Sequence, residues 1–378
     1  MILGLLACTA APPAAPHPEP LRQEAYVWQR VWSPAVQQAV ADSDFDALTV
    51  LAAEVSWSDG ASVTAIPLPT LPKGTTLAIR AMVPPGDPTS TLTPLIAELL
   101  IAHPEAVGIQ LDIDLPTARL GEYTGWLTHL SADCPLPIEI TALPTWLSSP
   151  AMPALALAAA RIVLQVHWLD PSDPDHLLDP DAAGHLRAMD RLGRPFSAAL
   201  PTYGYQLALD DAGGLAGIVA EQGSLAGGGR EVMADPVAVA ALVSALQANR
   251  PEHLTGLHWF RLPIDGDQRA WPIETLRAVR QGRPPMTDAT LTTQDTDGAL
   301  TLTLRNTGEA ELRPPEVIVE GGVRAADGLG GWRWSPGLSR LLPEHAESLM
   351  PGDAVVVGWL RPLDAAPTLR LSHPPADR

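Results

Sequence analysis

Cysteine is nearly missing: the 378 residues hold two, Cys8 and Cys134, too few for a disulfide-stapled scaffold. Phenylalanine is scarce too, at 3 against 11 tryptophans, so the large aromatic surface is indole, a common face for stacking on sugars. Basic residues are outnumbered, and the formal charge of −19 argues against nucleic acid and against a peripheral grip on anionic lipid, both of which it would repel. A neutral or cationic ligand fits this balance. No run approaches the ~18 apolar residues of a membrane helix. Paired histidines at H-x-x-x-H spacing are absent, so a hydrolytic metal centre has no signature, and no cofactor is expected.

What is present points to a globular chain: 46 % of residues are hydrophobic, enough for a sizeable core. Short apolar runs of β character alternate with helical patterns, the mark of βαβ units. Strands are expected near residues 25–32, 47–57, 76–82, 106–114, 137–143, 161–168, 196–203 and 254–261. About eight parallel strands close a barrel. The expected fold is therefore α/β: a (β/α)8 TIM-type barrel over residues 25–284, then a small all-β sandwich-like domain over 285–378. Thr93-Pro94, Asp235-Pro236 and Pro272 read as helix starts. The segment 58–73 is too proline-rich for a helix, and Gly227-Gly228-Gly229 marks a loop. After Pro285, Leu291, Leu300, Leu302 and Leu304 alternate with threonine around Asp297-Gly298, a hairpin turn.

Residues 1–24 stand apart. Leu5-Leu6-Ala7-Cys8 matches a lipoprotein processing box and is followed by an Ala/Pro-rich tether. The expectation is export, lipidation at Cys8 as the sole membrane attachment, and a periplasmic or outer-membrane location. No Lys or Arg precedes the apolar run, so either the true start lies upstream or the match is chance. Oligomeric state is not legible.

Strand side chains alternate between barrel interior and helical shell. In the fourth strand Ile109, Leu111 and Ile113 suit the shell, which turns Gln110, Asp112 and Asp114 inward. The same alternation turns Glu139 and Thr141, Gln165 and His167, Arg80, Glu54 and Tyr203 inward. In the first and eighth strands either face is defensible; we take Trp28, Arg30, Trp259 and Arg261 as inward. A barrel interior is usually Val, Ile and Leu, whereas here nearly every strand brings a polar group. Active sites in this fold lie at strand C-termini, and Asp114, His167, Tyr203 and Arg261 come late in theirs. A structural reading competes at each position. Asp112 with Arg80 or Arg30 also fits a buried ion-pair network, His167 a satisfied core histidine, and Trp57, Trp146, Trp168 and Trp259 packing under loops. Asp170, Asp173 and Asp175 suit a solvated turn, and Tyr123 and Trp126 a helix core.

The string Val107-Gly108-Ile109-Gln110-Leu111-Asp112-Ile113-Asp114 resembles the fourth-strand motif of family-18 chitinases, with Gln110 where an acid is usual and Asp114 in place of glutamate. Gly256-Leu257-His258-Trp259 is similar to their eighth-strand segment. More of the barrel looks like the bacterial family called domain of unknown function 3142: Tyr26 to Trp32, Gln110 to Asp114, Ile140 to Trp146, Gln165 to Trp168, Leu200 to Tyr205 and His258 to Pro263 carry that resemblance. It implies a glycosidase-like barrel in envelope proteins and carries no reaction of its own.

Two functions follow as expectations. One is a glycoside hydrolase with Asp114 as general acid supported by Asp112, Glu54 or Glu139 as partner carboxylate, and Tyr203 and His167 nearby. Sugar contacts would come from Trp28, Arg30, Arg80, Gln110, Trp146, Trp168, Tyr205, Trp259 and Arg261. The other is a lipoprotein that binds polysaccharide or a protein partner without turnover. A metal-assisted reaction through Asp112, Asp114 and His167 is the weakest reading.

Overall fold

The structure is a computed structural model that describes residues 20–58, 60–167, 176–209, 215–219 and 229–372. Eight parallel strands form its frame: β1 Arg22–Val27, β2 Ala47–Ser56, β3 Thr76–Ala81, β4 Gly108–Asp112, β5 Ile138–Ala142, β6 Arg161–Gln165, β7 Phe196–Pro201 and β8 Leu254–Phe260. Each pairs with the next in sequence, and β1 pairs with both β2 and β8, so the sheet closes on itself. These strands are near-continuous apolar runs because both faces are covered, by the interior on one side and helices on the other.

Among the described residues seven α-helices wrap the barrel: α1 Pro34–Ala41, α2 Thr89–Ala102, α3 Leu120–Asp133, α4 Met152–Ala158, α5 Ala182–Asp190, α6 Pro236–Ala248 and α7 Ile273–Arg280. The Asp235 carboxylate caps α6 by accepting from the Val237 amide at 2.8 Å, with Pro236 in the first turn. At α2 the expected start at Thr93 is one turn late. Asp87 accepts from the Thr89 amide at 2.9 Å, and Pro94 lies inside the helix. Among the described residues no helix stands between β2 and β3; Pro67, Pro69 and Pro72 deny the donors a helix needs, and Ser62–Ala65 instead pairs antiparallel with the end of β2. Between β7 and β8, Gly204–Leu209 takes Leu215–Val219 and Arg230–Met233 as antiparallel neighbours. Gly229 is described, while Gly227 and Gly228 lie outside the described residues.

After α7 come β9 Ala289–Thr296, β10 Ala299–Asn306, β11 Glu316–Glu320, β12 Val323–Gly328, β13 Trp332–Ser335, β14 Arg340–Pro343, β15 Ala354–Pro362 and β16 Thr368–Ser372. They form two four-stranded antiparallel sheets, β9-β10-β15-β12 and β13-β14-β11-β16, over a core that includes Leu302, Leu304, Val317, Trp332 and Val357. Asp297 and Gly298, both at positive φ (53° and 75°), make the expected hairpin turn. The region is tied to the barrel's last turn by Arg283, which donates to both Glu309 oxygens, and by Thr275, whose hydroxyl donates to the Glu309 carbonyl. Among the described residues no helix is long and apolar enough to cross a membrane.

Candidate active site

The interior alternation is visible in what packs where. Tyr26, Trp28, Leu51, Ala78, Val163 and Ala199 pack together inside the barrel, while Ile109, Leu111 and Ile113 join the larger core under the helices. At the C-terminal ends of the strands the interior opens into a pit of about 320 Å³, lined by Tyr26, Trp28, Arg80, Asp112, Asp114, Thr141, Gln165, His167, Tyr203 and Phe260 among others.

Two carboxylates enter this pit from β4 and its end. Asp112 is 4 % exposed and fully engaged. It accepts from Arg80 Nη1 at 2.6 Å, Thr141 Oγ1 at 2.7 Å and Gln165 Nε2 at 3.4 Å. Asp114 stands one pleat further out with its side chain 43 % exposed, 3.5 Å from Arg80 Nη2. Desolvation and the neighbouring Asp112 raise its pKa, against the pull of Arg80. The pit thus holds one anchored carboxylate and one open, protonatable one.

An aromatic wall faces them. Trp28 and Phe260 meet edge-to-face at 5.3 Å, Phe260 and Tyr203 at 5.3 Å, and the His167 ring stacks on Phe260 at 5.7 Å. The Tyr203 hydroxyl lies 3.4 Å from His167 Nδ1. Burial lowers the His167 pKa to about 4, so the ring is neutral near pH 7 and holds Tyr203 without adding charge. An NMR titration of His167 is expected to show no midpoint between pH 5.5 and 8; a midpoint near the ordinary value of 6.5 would mean the ring is solvated.

Several expected site residues lie elsewhere. Trp259 points outward: it is fully buried under the helical shell and its Nε1 donates to Gln23 Oε1 at 2.7 Å. Phe260 takes the interior position, which the sequence reading missed. Trp259→Phe is expected to cost about 1–3 kcal/mol of stability, since Gln23 loses its donor; melting curves check this. Trp146 is likewise buried, edge-to-face with Tyr123 and bonded to the Leu115 carbonyl at 2.9 Å. Glu139 is not in the pit. It sits at the opposite, N-terminal end, where Arg161 Nε and Nη2 donate to it at 3.0 Å, facing a separate floor cavity. Gln110, wholly buried, leans the same way and donates to Glu139 at 3.5 Å. Glu54 is clamped by Arg30 at the mouth, at 2.6 and 2.9 Å, and neither lines the pit. Tyr205 is buried behind Tyr203, edge-to-face at 5.7 Å, and desolvation raises its pKa. Arg261 lies beyond the strand end, paired with Asp267 at 2.6 Å. Trp57 packs against the core rather than lining the pit. Cys8, Trp168, Asp170, Asp173 and Asp175 lie outside the described residues. Among the described residues no group of three or more His, Cys, Asp and Glu side chains is placed to hold a metal ion.

Residues 89–265 match the family described as Domain of unknown function (DUF3142), the family whose motifs the barrel resembles in sequence. No curated protein matches the chain. Among solved structures the chain is similar to the family-18 chitinase ChiB from the chitin utilization locus of Flavobacterium johnsoniae, with 10 % identity over 64 % of this chain and 88 % of that one and a TM-score of 0.42. It is also similar to a xylanase-A-amylase inhibitor protein, XAIP-III, with 11 % identity over 65 % and 94 % of the two chains and a TM-score of 0.39.

Proposed function

We propose that the pit binds a sugar residue of an oligo- or polysaccharide and that Asp114 protonates the glycosidic oxygen as general acid. One observation carries the reading: the Asp114 carboxyl opens into the pit with a raised pKa beside the anchored Asp112, and a general acid must hold its proton near working pH. The aromatic wall of Trp28, Phe260 and Tyr203 supplies an apolar face for a pyranose ring. Among the described residues the pit offers no second free carboxylate: Asp112 is fully hydrogen-bonded, Glu54 is clamped by Arg30 and Glu139 is at the floor. A substrate that carries its own nucleophile, an N-acetyl group beside the scissile bond, fits that arrangement, with Tyr203 placed to hold it. Export and lipid attachment through Cys8 belong to the same proposal.

Binding without turnover is the second reading. It is favoured by Arg80, whose guanidinium reaches both Asp112 and Asp114 and so resists protonation of Asp114. A panel of glycans assayed in parallel for binding and for new reducing ends separates the two. Release of reducing ends by the wild-type protein supports the hydrolase, binding with no release supports the second reading, and neither would defeat both.

A further inference from the structure

We propose that the outer face of the β9-β10-β15-β12 sheet is a platform for an extended, uncharged polysaccharide chain, centred on Trp359. It stands apart from the reading of the pit, since no pit residue takes part in it. The starting point is a feature of the sequence that the barrel does not absorb, the threonines that alternate with Leu291, Leu300, Leu302 and Leu304. In a strand such alternation divides two faces. Leu300, Leu302, Leu304 and Leu360 turn into the core of the all-β region, so Thr301, Thr303 and Trp359 turn away from it. Register then lines these side chains up across the sheet. Gln294, Thr301, Trp359 and Asp327 are successive partners in one row over four strands, and Thr292, Thr303 and Val356 make the next row. Thr292, Gln294, Asp327 and Val356 are exposed and Thr301, Thr303 and Trp359 partly so, so the face is open to solvent.

The chemistry of the two rows selects the ligand. An indole set among hydroxyls and an amide offers an apolar face with hydrogen-bonding groups around it. A pyranose presents the complement, a face of C–H groups edged by hydroxyls. Charged side chains lie at the margins of these rows and are of both signs. Asp327 ends the central row and its Oδ1 accepts from the Gly328 amide at 2.9 Å. Arg305 donates to the Gly352 carbonyl at 2.8 Å, and Arg361 lies one pleat beyond Trp359. On a chain of net charge −19 this face carries no excess of negative charge to draw a cationic partner, and its arginines are too dispersed to grip an anion. Within the two rows Trp359 and Val356 are the large apolar groups, too little for the apolar core of a protein interface. Neighbouring strands lie ~4.8 Å apart, so the central row spans about 14 Å. An open row of that length suits a chain lying along it better than a single sugar.

The test is co-sedimentation of the whole protein with insoluble cellulose, chitin, mannan and xylan, using wild type, Trp359→Ala, Trp359→Phe and Thr301→Glu. At least one polysaccharide is expected to retain the wild type. Trp359→Ala and Thr301→Glu are expected to weaken that retention about tenfold or more, and Trp359→Phe, which keeps an aromatic face, to preserve most of it. Binding or cleavage of short soluble oligosaccharides, which reads the pit, is expected to be the same in all four proteins. Thr301→Glu gives the same reading should Trp359→Ala fail to fold. Retention of both disruptive variants at the wild-type level overturns the platform, as does a wild type that none of the polysaccharides retains. Either result leaves the pit reading to stand or fall on the oligosaccharides. A wild-type dimer that Trp359→Ala converts to monomer would assign the face to a second copy of the chain and overturn the platform as well.

Discussion

Asp114→Asn is expected to lower glycan hydrolysis by about 10²–10⁴-fold, the usual contribution of a positioned acid, with binding little changed. Asparagine keeps the shape of the side chain and its place beside Arg80 but has no acidic proton to give. The pH behaviour follows from the same group. Desolvation and Asp112 raise the Asp114 pKa above the ordinary 3.8, so the acid form, and with it hydrolysis, persists to higher pH than a free aspartate would allow and is lost as pH rises through the shifted value. The sign for stability is the same: a raised folded-state pKa favours the fold at low pH and withdraws that favour as the group ionises. The asparagine variant should therefore melt no lower than wild type at pH 7. Hydrolysis retained in the variant would remove Asp114 from the chemistry; a fall in melting temperature would show that its carboxylate, held by Arg80, stabilises the fold.

The largest effect on stability is expected at the barrel floor. Arg161 bridges two buried acids: it meets Glu24 at 2.5 and 2.9 Å and Glu139 at 3.0 Å, and His258 adds a further contact to Glu24 at 3.1 Å. Arg161→Met leaves both carboxylates in a poorly solvated place without their cation, at a cost of about 3–5 kcal/mol. At roughly 2–4 °C per kcal/mol for a barrel of this size, the melting temperature falls by on the order of 10 °C. Burial opposes ionisation of Glu24, but His258 and Arg161 outweigh it and hold its carboxyl well below the ordinary 4.5. With a depressed folded-state pKa, the contribution of Glu24 is complete above that ordinary value and is lost progressively as pH falls below it. Wild-type protein should lose stability on acidification below about pH 4.5, and Glu24→Gln should flatten that slope. An Arg161→Met protein that melts with wild type would mean the floor is solvated.

Much of this architecture was legible in the chain. All eight barrel strands fall within a few residues of their expected places, because a strand buried on both faces is a continuous apolar run that few other structures require. The phase was legible where a polar residue interrupts such a run. In β4 and β6, Asp112 and Gln165 have partners only inside the barrel. In β8 the neighbours His258, Trp259 and Phe260 offer two aromatic choices for the interior, and alternation alone does not decide between them. The better clue was His258 itself: a polar residue in mid-strand belongs inside, where Glu24 is its partner, and that turns Trp259 to the shell. Height along the barrel was not legible at all. Alternation sorts side chains by face, whereas strand stagger sets their level, and stagger puts Glu139 beside Arg161 at the floor rather than near Asp114. Arg161 and Glu24 carry no signal in the sequence for the same reason, as their pairing exists only once strands distant in sequence are side by side.

The most direct test of the central claim is where a sugar sits. Crystals of the Asp114→Asn protein soaked with a glycan that the wild type binds should show a pyranose ring against Trp28, Phe260 and Tyr203, with its glycosidic oxygen within hydrogen-bonding distance of residue 114. A glycan held only on the outer sheets of the all-β region, with the pit untouched, would contradict the account.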